Sequence, residues 1–220
     1  MNQTESLGMR ARNLIEELIL DDTLTTGEKI TERDLADRLG MSRAPIRDAI
    51  KDLISDGLLQ RVGTRSIVVR ELNLQEIEEI YSIRTLLEAR AASLAADKIS
   101  QSSLNDLVTL HEAMKNAAKT NQFSHYYELN ISFHQIIHQE AQSPRLATMI
   151  ETVMKESLLF RSRGLVDQDN LVESIAEHEM LIRALTTRDP ELAELCMHRH
   201  IRGGLERLRL RSHHLEAPNA

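Results

Sequence analysis

The stretch Thr31-Glu-Arg-Asp-Leu-Ala-Asp-Arg-Leu-Gly-Met-Ser-Arg-Ala-Pro-Ile-Arg47 decides the fold of the N-terminal part of this protein. Thr31 is of the type preferred at a helix N-cap, and Asp34 stands at the third helical position of a capping box. Gly40 follows the last apolar position, where helices commonly end on a residue that tolerates positive φ. Ser42 begins a second run of helical spacing. The stretch therefore predicts two helices joined by a glycine turn.

The second helix carries a stripe of cations opposite its apolar face. Arg43, Arg47 and Lys51 are spaced i, i+4 and i+8, so they project from one side of the helix. This is the geometry of a recognition helix in the major groove of DNA. The alternative is an ordinary solvated helix face, which the spacing alone does not exclude.

Two short stretches of strand-like residues follow, at 58–62 and 66–69. The turn Gly63-Thr64-Arg65 separates them, as expected for a β-hairpin. Beside two helices joined by a turn, such a hairpin predicts the wing of a winged helix-turn-helix. Arg65, at its tip, is placed to reach a minor groove or a phosphate.

The charge distribution favours DNA binding by this region. The chain as a whole is acidic, with a formal net charge of −7, which argues against non-specific nucleic-acid binding. Residues 33–70 nevertheless contain eight basic and five acidic side chains, a local charge of +3. A basic patch confined to one part of an acidic chain indicates a localised contact with DNA.

Length and composition bound the class of protein. The 220 residues suffice for one large or two modest domains. We expect a cytoplasmic protein with no membrane partner, because the chain has no apolar run of membrane-spanning length and no secretory leader. The single cysteine, Cys196, excludes an internal disulfide and is interpreted as a small buried residue.

Helical periodicity dominates the rest of the chain. One amphipathic helix is predicted at 9–20, and a long helix follows Asn73. We therefore predict a mainly α protein, with an N-terminal winged helix-turn-helix (three helices plus a small β-hairpin wing) and a C-terminal all-α six-helix bundle. The domains are expected at 1–71 and 72–212, with a frayed tail at 213–220. The further helices are predicted at 104–119, 122–141, 145–164, 170–187 and 190–211.

Four side chains of the C-terminal part form a candidate metal site. Asn130 and His134 are four residues apart on one predicted helix and project together. His178 and His200 lie on two later helices, within apolar patterns where a charged imidazole would be costly. Three imidazoles and an oxygen would suit zinc, nickel or a similar divalent ion. Structural histidines without a metal are the alternative.

Taken together, these motifs resemble a known family. Residues 9–70 resemble the GntR-family winged helix, most specifically in the segment Ser42-Arg-Ala-Pro-Ile-Arg47. Residues 74–210 resemble the all-helical effector domain of the family's FadR branch, of the FCD type in its six-helix, VanR-like form. The residues that carry the resemblance to the effector domain are Arg84, Glu88, Phe133-His134, Glu177-His178 and the run from Ala193 through Met197 to His200.

The resemblance implies which residues contact DNA. Arg33, Arg43 and Arg47 align with the DNA-contacting arginines of the family, whose wing tip enters the minor groove. The family's wing usually carries a second glycine where this chain has Arg65. The full set of residues expected at the DNA is Arg33, Ser42, Arg43, Ala44, Pro45, Arg47, Lys51, Gly63 and Arg65.

The resemblance also implies a metal in the effector domain. Metal-binding members of the branch have an acid at the position of Asn130 and histidines at the positions of His134, His178 and His200. Asparagine can ligate through its carbonyl oxygen but supplies no charge, so we expect weaker binding of the ion. The expected ion is zinc, with nickel or a similar divalent metal as the alternative. The histidines that fit the local spacing but not the family's positions are His138 and His198.

A metal with open coordination positions would hold a small carboxylate effector. Arg84 would pair with that carboxylate, although an ion pair with Glu88, one helical turn away, explains its position equally well. Arg161 is a further candidate effector contact. Two alternative functions are a metal-dependent hydrolase with Glu177 as general base and a metal-free sensor of the acyl-CoA type.

These expectations combine into a ligand-responsive transcription regulator that is not an enzyme. By the family resemblance it is a repressor that works as a homodimer on a pseudo-palindromic operator in double-stranded DNA. The helical domain would dimerise the protein and bind the effector, and the winged domain would read the operator.

Overall fold

The protein is described by a computed structural model that covers residues 6–20, 23–63, 66–164 and 168–216. The chain divides into two compact units, which are Met1–Asn73 with Lys155–Leu159, and Leu74–Met154 with Phe160–Ala220. Helices dominate the chain, and the predicted mainly α fold class is confirmed. No helix within the described ranges is long and apolar enough to cross a membrane.

The N-terminal segment of the first unit contains three helices and three short strands. Their bounds are α1 Leu7–Leu20, β1 Lys29–Ile30, α2 Glu32–Leu39, α3 Arg43–Ser55, β2 Leu59–Val62 and β3 Ser66–Val69. The helices pack on one another because each carries an apolar stripe at helical spacing. The fully buried side chains of these stripes include Ala11, Ile15, Leu35, Ile46, Ile50 and Leu53.

The predicted ends of the first helix of the motif are confirmed. The Thr31 hydroxyl accepts a hydrogen bond from the Asp34 N–H at 3.2 Å, and the Asp34 carboxylate accepts one from the Thr31 N–H at 2.9 Å. Gly40 ends α2 with φ +62°, in the left-handed region that favours glycine. Ser42 occupies the N-cap of α3, but its side chain makes no capping bond, so the hydroxyl is left for another partner.

The predicted hairpin is present and belongs to a larger sheet. β2 and β3 pair antiparallel along their whole length, and Gly63 begins the turn between them with φ +69°. β1 pairs with the other edge of β3, which gives the strand order β1-β3-β2. The sequence did not predict β1, because two residues have no periodicity of their own and become a strand only by pairing with β3. Thr64 and Arg65 lie outside the described residues.

The six helices predicted for the C-terminal part are all present. Their bounds are α4 Leu74–Lys98, α5 Gln101–Lys119, α6 Phe123–Glu140, α7 Pro144–Gly164, α8 Gln168–Thr186 and α9 Pro190–Glu216. α9 is one continuous helix to Glu216, so it extends beyond residue 212, where the sequence predicts the start of a frayed tail. α4 and α8 both pack against α9, and α5 packs against α6 and α8. This bundle brings α6, α8 and α9 together around the predicted metal ligands.

Candidate metal centre and DNA-binding surface

The cation stripe of α3 is exposed. Arg43, Arg47 and Lys51 all face solvent. The Arg47 Nε lies 3.1 Å from a carboxylate oxygen of Glu32, and the Lys51 Nζ lies 3.2 Å from one of Asp48. Arg43 forms no ion pair with any described residue. Exposed ion pairs contribute little to stability, so these cations can exchange their partners for phosphates or base edges.

The other residues predicted to contact DNA lie around the same helix. Arg33 is exposed on α2, with its Nε 3.5 Å from Asp37. The exposed members of the set also include Ser42, Ala44 and Gly63, and Pro45 is half-buried. Arg65 lies outside the described residues.

Three of the four predicted metal ligands meet inside the second unit. His134 on α6, His178 on α8 and His200 on α9 are buried, and one ring nitrogen of each lies within 4.8 Å of the others. The Nε2 atoms of His134 and His200 are 3.1 Å apart. Nitrogens bound tetrahedrally to one zinc ion at about 2.0–2.1 Å stand roughly 3.3 Å from one another. The spacing of the rings therefore fits a single ion.

Two carboxylates fix the orientation of these rings. A Glu88 oxygen lies 2.9 Å from Nδ1 of His134, and a Glu177 oxygen lies 2.8 Å from Nδ1 of His200. Because an ionised carboxylate only accepts hydrogen bonds, each Nδ1 donates, and each ring in its neutral form keeps a lone pair on Nε2. Two lone pairs at 3.1 Å repel each other unless a proton or a cation lies between them. The carboxylates thus prepare these two nitrogens to bind a cation.

The remaining two predicted ligands carry buried polar atoms without a partner. Neither ring nitrogen of His178 makes a hydrogen bond to a described residue, and Oδ1 of Asn130 makes none either. An unsatisfied buried polar group costs about 1–3 kcal/mol, so such atoms are uncommon in folded proteins. A cation at the three rings would give His178 a partner, and Asn130 lies one helical turn before His134. The three histidines therefore fit a divalent metal, and the buried Oδ1 of Asn130, which has no hydrogen bond to the described residues, agrees with the predicted oxygen ligand.

The rings of His134 and His178 are neutral at neutral pH. Burial lowers the pKa of His134 to about 3, against the opposing effect of its hydrogen bond to Glu88. Burial also holds the pKa of His178 well below its usual range, helped by the positive charge that His200 and His134 can carry. Neutral imidazole is the form that binds a metal, so neither of these rings has to lose a proton first.

Glu88 is the centre of a buried cluster of polar side chains. Besides the bond from His134, it accepts one from Nε2 of His138 at 3.1 Å and one from Nε of Arg84 at 2.9 Å. Burial raises the pKa of Glu88, but the charge of Arg84 and the two histidine hydrogen bonds outweigh it and bring the pKa well below its usual range. His138 is not one of the predicted ligands, yet it contacts the carboxylate that orients His134. The position of His138, one helical turn after His134 on α6, could have indicated this role from the sequence.

Arg207 is a residue of the site that the sequence analysis missed. Its Nη1 and Nη2 donate to the two oxygens of Glu177 at 3.0 and 2.9 Å, and the arginine is buried. Glu177 therefore bridges Arg207 and His200, which agrees with a supporting role and not with that of a general base. Arg207 follows His200 by seven residues, or two helical turns, so the helical period would have placed both on one face of α9.

The structure contains the ion pair that was the alternative for Arg84. Its Nε is bound to Glu88, and its guanidinium carbon lies 5.0 Å from the centre of the Tyr81 ring. Its Nη1 and Nη2 make no hydrogen bond to the described residues, so the group retains donors for a carboxylate. Arg161 lies on α7, but its side chain is outside the described part of the structure.

Comparison with protein families identifies both parts of the chain. The family described as "Bacterial regulatory proteins, gntR family" matches residues 7–69. The FCD domain matches residues 79–203, which is more than half of the chain. The two matches cover the winged segment and the helical bundle that holds the three histidines.

Individual relatives span both parts. The HTH-type transcriptional regulator McbR of Escherichia coli is 27% identical over 195 residues, which cover 87% of this chain and 88% of McbR. The gluconate operon transcriptional repressor of Bacillus licheniformis is 25% identical over 206 residues, covering 89% of this chain and 82% of the repressor. A solved structure of E. coli McbR/YncC matches with a TM-score of 0.84 at 25% identity, covering 94% of this chain and 99% of that chain.

Proposed function

Because the chain belongs to the GntR family of bacterial regulatory proteins and carries an FCD domain, we propose that it is a repressor controlled by a small carboxylate bound at a metal ion. Like its relatives, the protein is a DNA-binding transcription regulator and not an enzyme. We place it in the cytoplasm, where its operator would be accessible.

The observation that carries the metal proposal is the convergence of three buried ring nitrogens, together with buried polar atoms that lack partners among the described residues. The ring nitrogens of His134, His178 and His200 converge, and the nitrogens of His178 and the oxygen of Asn130 lack hydrogen-bond partners among the described residues. A folded core rarely retains such atoms without a ligand for them. His134, His178 and His200 would hold the ion through nitrogen and Asn130 through Oδ1, with zinc the first candidate and nickel the second.

The charge of the site indicates the class of effector. All four ligands are uncharged, and the two acids behind them are each paired with an arginine, Glu88 with Arg84 and Glu177 with Arg207. A divalent ion at this place would therefore keep its charge uncompensated by the protein. When bound, the ion would supply Lewis-acid coordination positions for a carboxylate oxygen.

The uncompensated positive charge of a bound ion would favour an anionic effector over a neutral one. The Nη groups of Arg84, which make no hydrogen bond to a described residue, offer a second contact for a carboxylate. The name of the B. licheniformis relative is consistent with this class, because gluconate is a small carboxylate.

The proposed output is the affinity for the operator. Arg43, Arg47 and Lys51 would meet the major groove, and two copies of the chain, joined through their helical bundles, would bind a pseudo-palindromic site. A coupling free energy of about 1–3 kcal/mol between effector and DNA would change operator affinity by roughly 5–150-fold.

One experiment tests the DNA and effector parts together. The full chain is used to select operators from random duplex DNA, and affinity is then measured with zinc and a panel of small carboxylates. Selection of a two-fold symmetric site, with affinity that changes on adding one carboxylate only when zinc is present, is the expected result. A carboxylate response that persists in chelator would contradict the metal, and a response to acyl-CoA in chelator would favour the metal-free sensor.

A further inference from the structure

Glu177 connects the proposed metal ligand His200 to Arg207 in one continuous chain of hydrogen bonds. One Glu177 oxygen accepts from Nδ1 of His200 at 2.8 Å and from Nη2 of Arg207 at 2.9 Å, and the other accepts from Nη1 of Arg207 at 3.0 Å. His200 and Arg207 both lie on α9, whereas Glu177 lies on α8. The carboxylate is therefore held in a single plane between two points of the neighbouring helix.

Gly203 lies beneath this pair, between His200 and Arg207 on α9. A Cβ added at Gly203 would be 2.5 Å from a Glu177 oxygen and 3.0 Å from Nη1 of Arg207. The 2.5 Å contact is shorter than any that real Cβ atoms make, so the carboxylate would have to move. Because the displaced atoms are the ends of side chains and not backbone, the helix itself would survive the substitution.

Gly204, the next residue, has no such constraint. A Cβ there would meet the Tyr81 ring at 3.5 Å, which is ordinary van der Waals contact. Both glycines lie within α9, and a helix is less stable with glycine at an interior position than with alanine. Only at Gly203 does the neighbourhood explain why a side chain is absent.

We propose that Arg207 and Gly203 are positioning residues for the metal centre: Arg207 locks the Glu177 carboxylate, and Gly203 leaves the space in which that carboxylate orients His200. The inference rests on the metal site of the proposed function. The hydrogen bond at Nδ1 sets both the tautomer and the ring direction of a metal-binding histidine. A displaced Glu177 would therefore turn Nε2 of His200 away from the position shared with His134.

The neighbouring glycines provide a matched pair of variants. Zinc affinity of the full chain is measured by competition with a chromophoric chelator for the wild type, Gly203→Ala and Gly204→Ala. We expect Gly203→Ala to weaken zinc binding by about 10–100-fold, the usual effect of losing an outer partner of a ligand, and Gly204→Ala to stay close to the wild type. Gly204→Ala should melt at or above the wild-type temperature without metal, because alanine favours the helix. Gly203→Ala gains the same helix propensity but must displace Glu177, so its melting temperature without metal should be lower than that of Gly204→Ala.

A spectroscopic readout separates positioning from a general structural effect. The visible absorption of Co²⁺ reports the number and geometry of its ligands, so its spectrum should change in Gly203→Ala and not in Gly204→Ala. Arg207→Lys, which cannot form two parallel bonds to a carboxylate, should reproduce the loss of zinc affinity, whereas Arg209→Lys should not, because Arg209 pairs with Glu78 and Glu206.

The possible outcomes are distinct. Equal zinc affinity and equal Co²⁺ spectra in the two glycine variants would overturn the role of Gly203, and wild-type affinity in Arg207→Lys would overturn that of Arg207. Absence of zinc binding by the wild type would overturn the metal proposal and this inference with it. If Gly203→Ala does not fold, the arginine pair of variants decides the result.

Discussion

The carboxylate of Glu32, the first residue of α2, accepts a hydrogen bond from Nε of Arg47 on α3, at 3.1 Å. The bond joins the two helices of the DNA-reading motif through the arginine expected to contact a base. It occupies Nε and leaves both Nη groups without a bond to the described residues. Guanine is read by two parallel bonds to O6 and N7, for which the Nη pair is suited. Glu32 therefore restrains the guanidinium and adds a negative charge where the phosphates of a bound operator would lie.

Glu32→Gln should reduce discrimination between DNA sequences. Without the carboxylate, Arg47 is less restrained and the surface is less repelled by phosphate, so affinity for non-operator duplex should rise by about 10-fold while operator affinity changes less. The measurement is the ratio of the two dissociation constants over a range of salt concentrations. Glu28→Gln, which removes the negative charge that pairs with Arg38, is the control. An unchanged ratio in Glu32→Gln would contradict the prediction.

Arg43→Ala and Arg47→Ala should each weaken operator binding. A bidentate contact to guanine contributes about 1–3 kcal/mol of discrimination, so each variant should lose roughly 5–150-fold in specific affinity and much less on random duplex. If Lys51 contacts phosphate, Lys51→Ala should instead weaken the affinity for the operator and the affinity for random duplex by similar factors. Fluorescence anisotropy with selected and scrambled duplexes measures these changes. Full operator affinity in both arginine variants would remove α3 as the recognition helix.

His178→Leu should have opposite effects on metal binding and on stability. Both ring nitrogens of His178 are buried and make no hydrogen bond to a described residue, and the centre of its ring lies 4.6 Å from that of the Phe133 ring. Replacing an unsatisfied polar group by an apolar one should raise the free energy of unfolding of the chelator-treated protein by about 1–3 kcal/mol, while zinc binding is lost. Urea unfolding and metal analysis give the two values. His198→Leu is the control, because His198 is not among the converging histidines. A destabilised variant that retains zinc would refute both halves.

Asn130→Asp should tighten metal binding at a cost to the metal-free protein. A carboxylate would add a charged ligand beside three neutral imidazoles, and we expect zinc affinity to rise by about 10-fold or more. Without metal, the same carboxylate would be buried where no described residue gives Oδ1 of Asn130 a hydrogen bond, so the melting temperature in chelator should fall. Calorimetric titration with zinc and thermal melts with and without chelator test this. Unchanged affinity would mean that residue 130 does not reach the ion.

Parts of the site that depend on local spacing were predictable from the sequence. The capping box of Thr31 and Asp34, the stop at Gly40 and the stripe through Arg43 and Arg47 follow from the helical period and from side-chain chemistry within four residues. The family resemblance then predicted that His134, His178 and His200 bind one metal ion. The convergence of their ring nitrogens in the structure agrees with that prediction.

Contacts between distant residues were not predictable in this way. The strand β1 exists because β3 offers an unpaired edge, and nothing in a two-residue segment reveals that edge. Arg207 lies on the same face of α9 as His200, but the sequence does not indicate that a carboxylate on α8 lies between them.

The sequence by itself determined where helices begin and end, which side of α3 is cationic and which residue types could ligate a metal, because these properties depend on neighbours along one helix. Only the tertiary structure decided that Glu88 and Glu177 orient two facing imidazoles and that Glu32 holds Arg47. It also decided that Oδ1 of Asn130 and the nitrogens of His178 are buried without a partner in the part of the chain that the structure describes. Each of those relationships depends on the distance between side chains on different helices, which is set by how the helices pack. The stretch from Thr31 to Arg47 thus specifies a DNA-reading motif, and helix packing specifies the site proposed to control it.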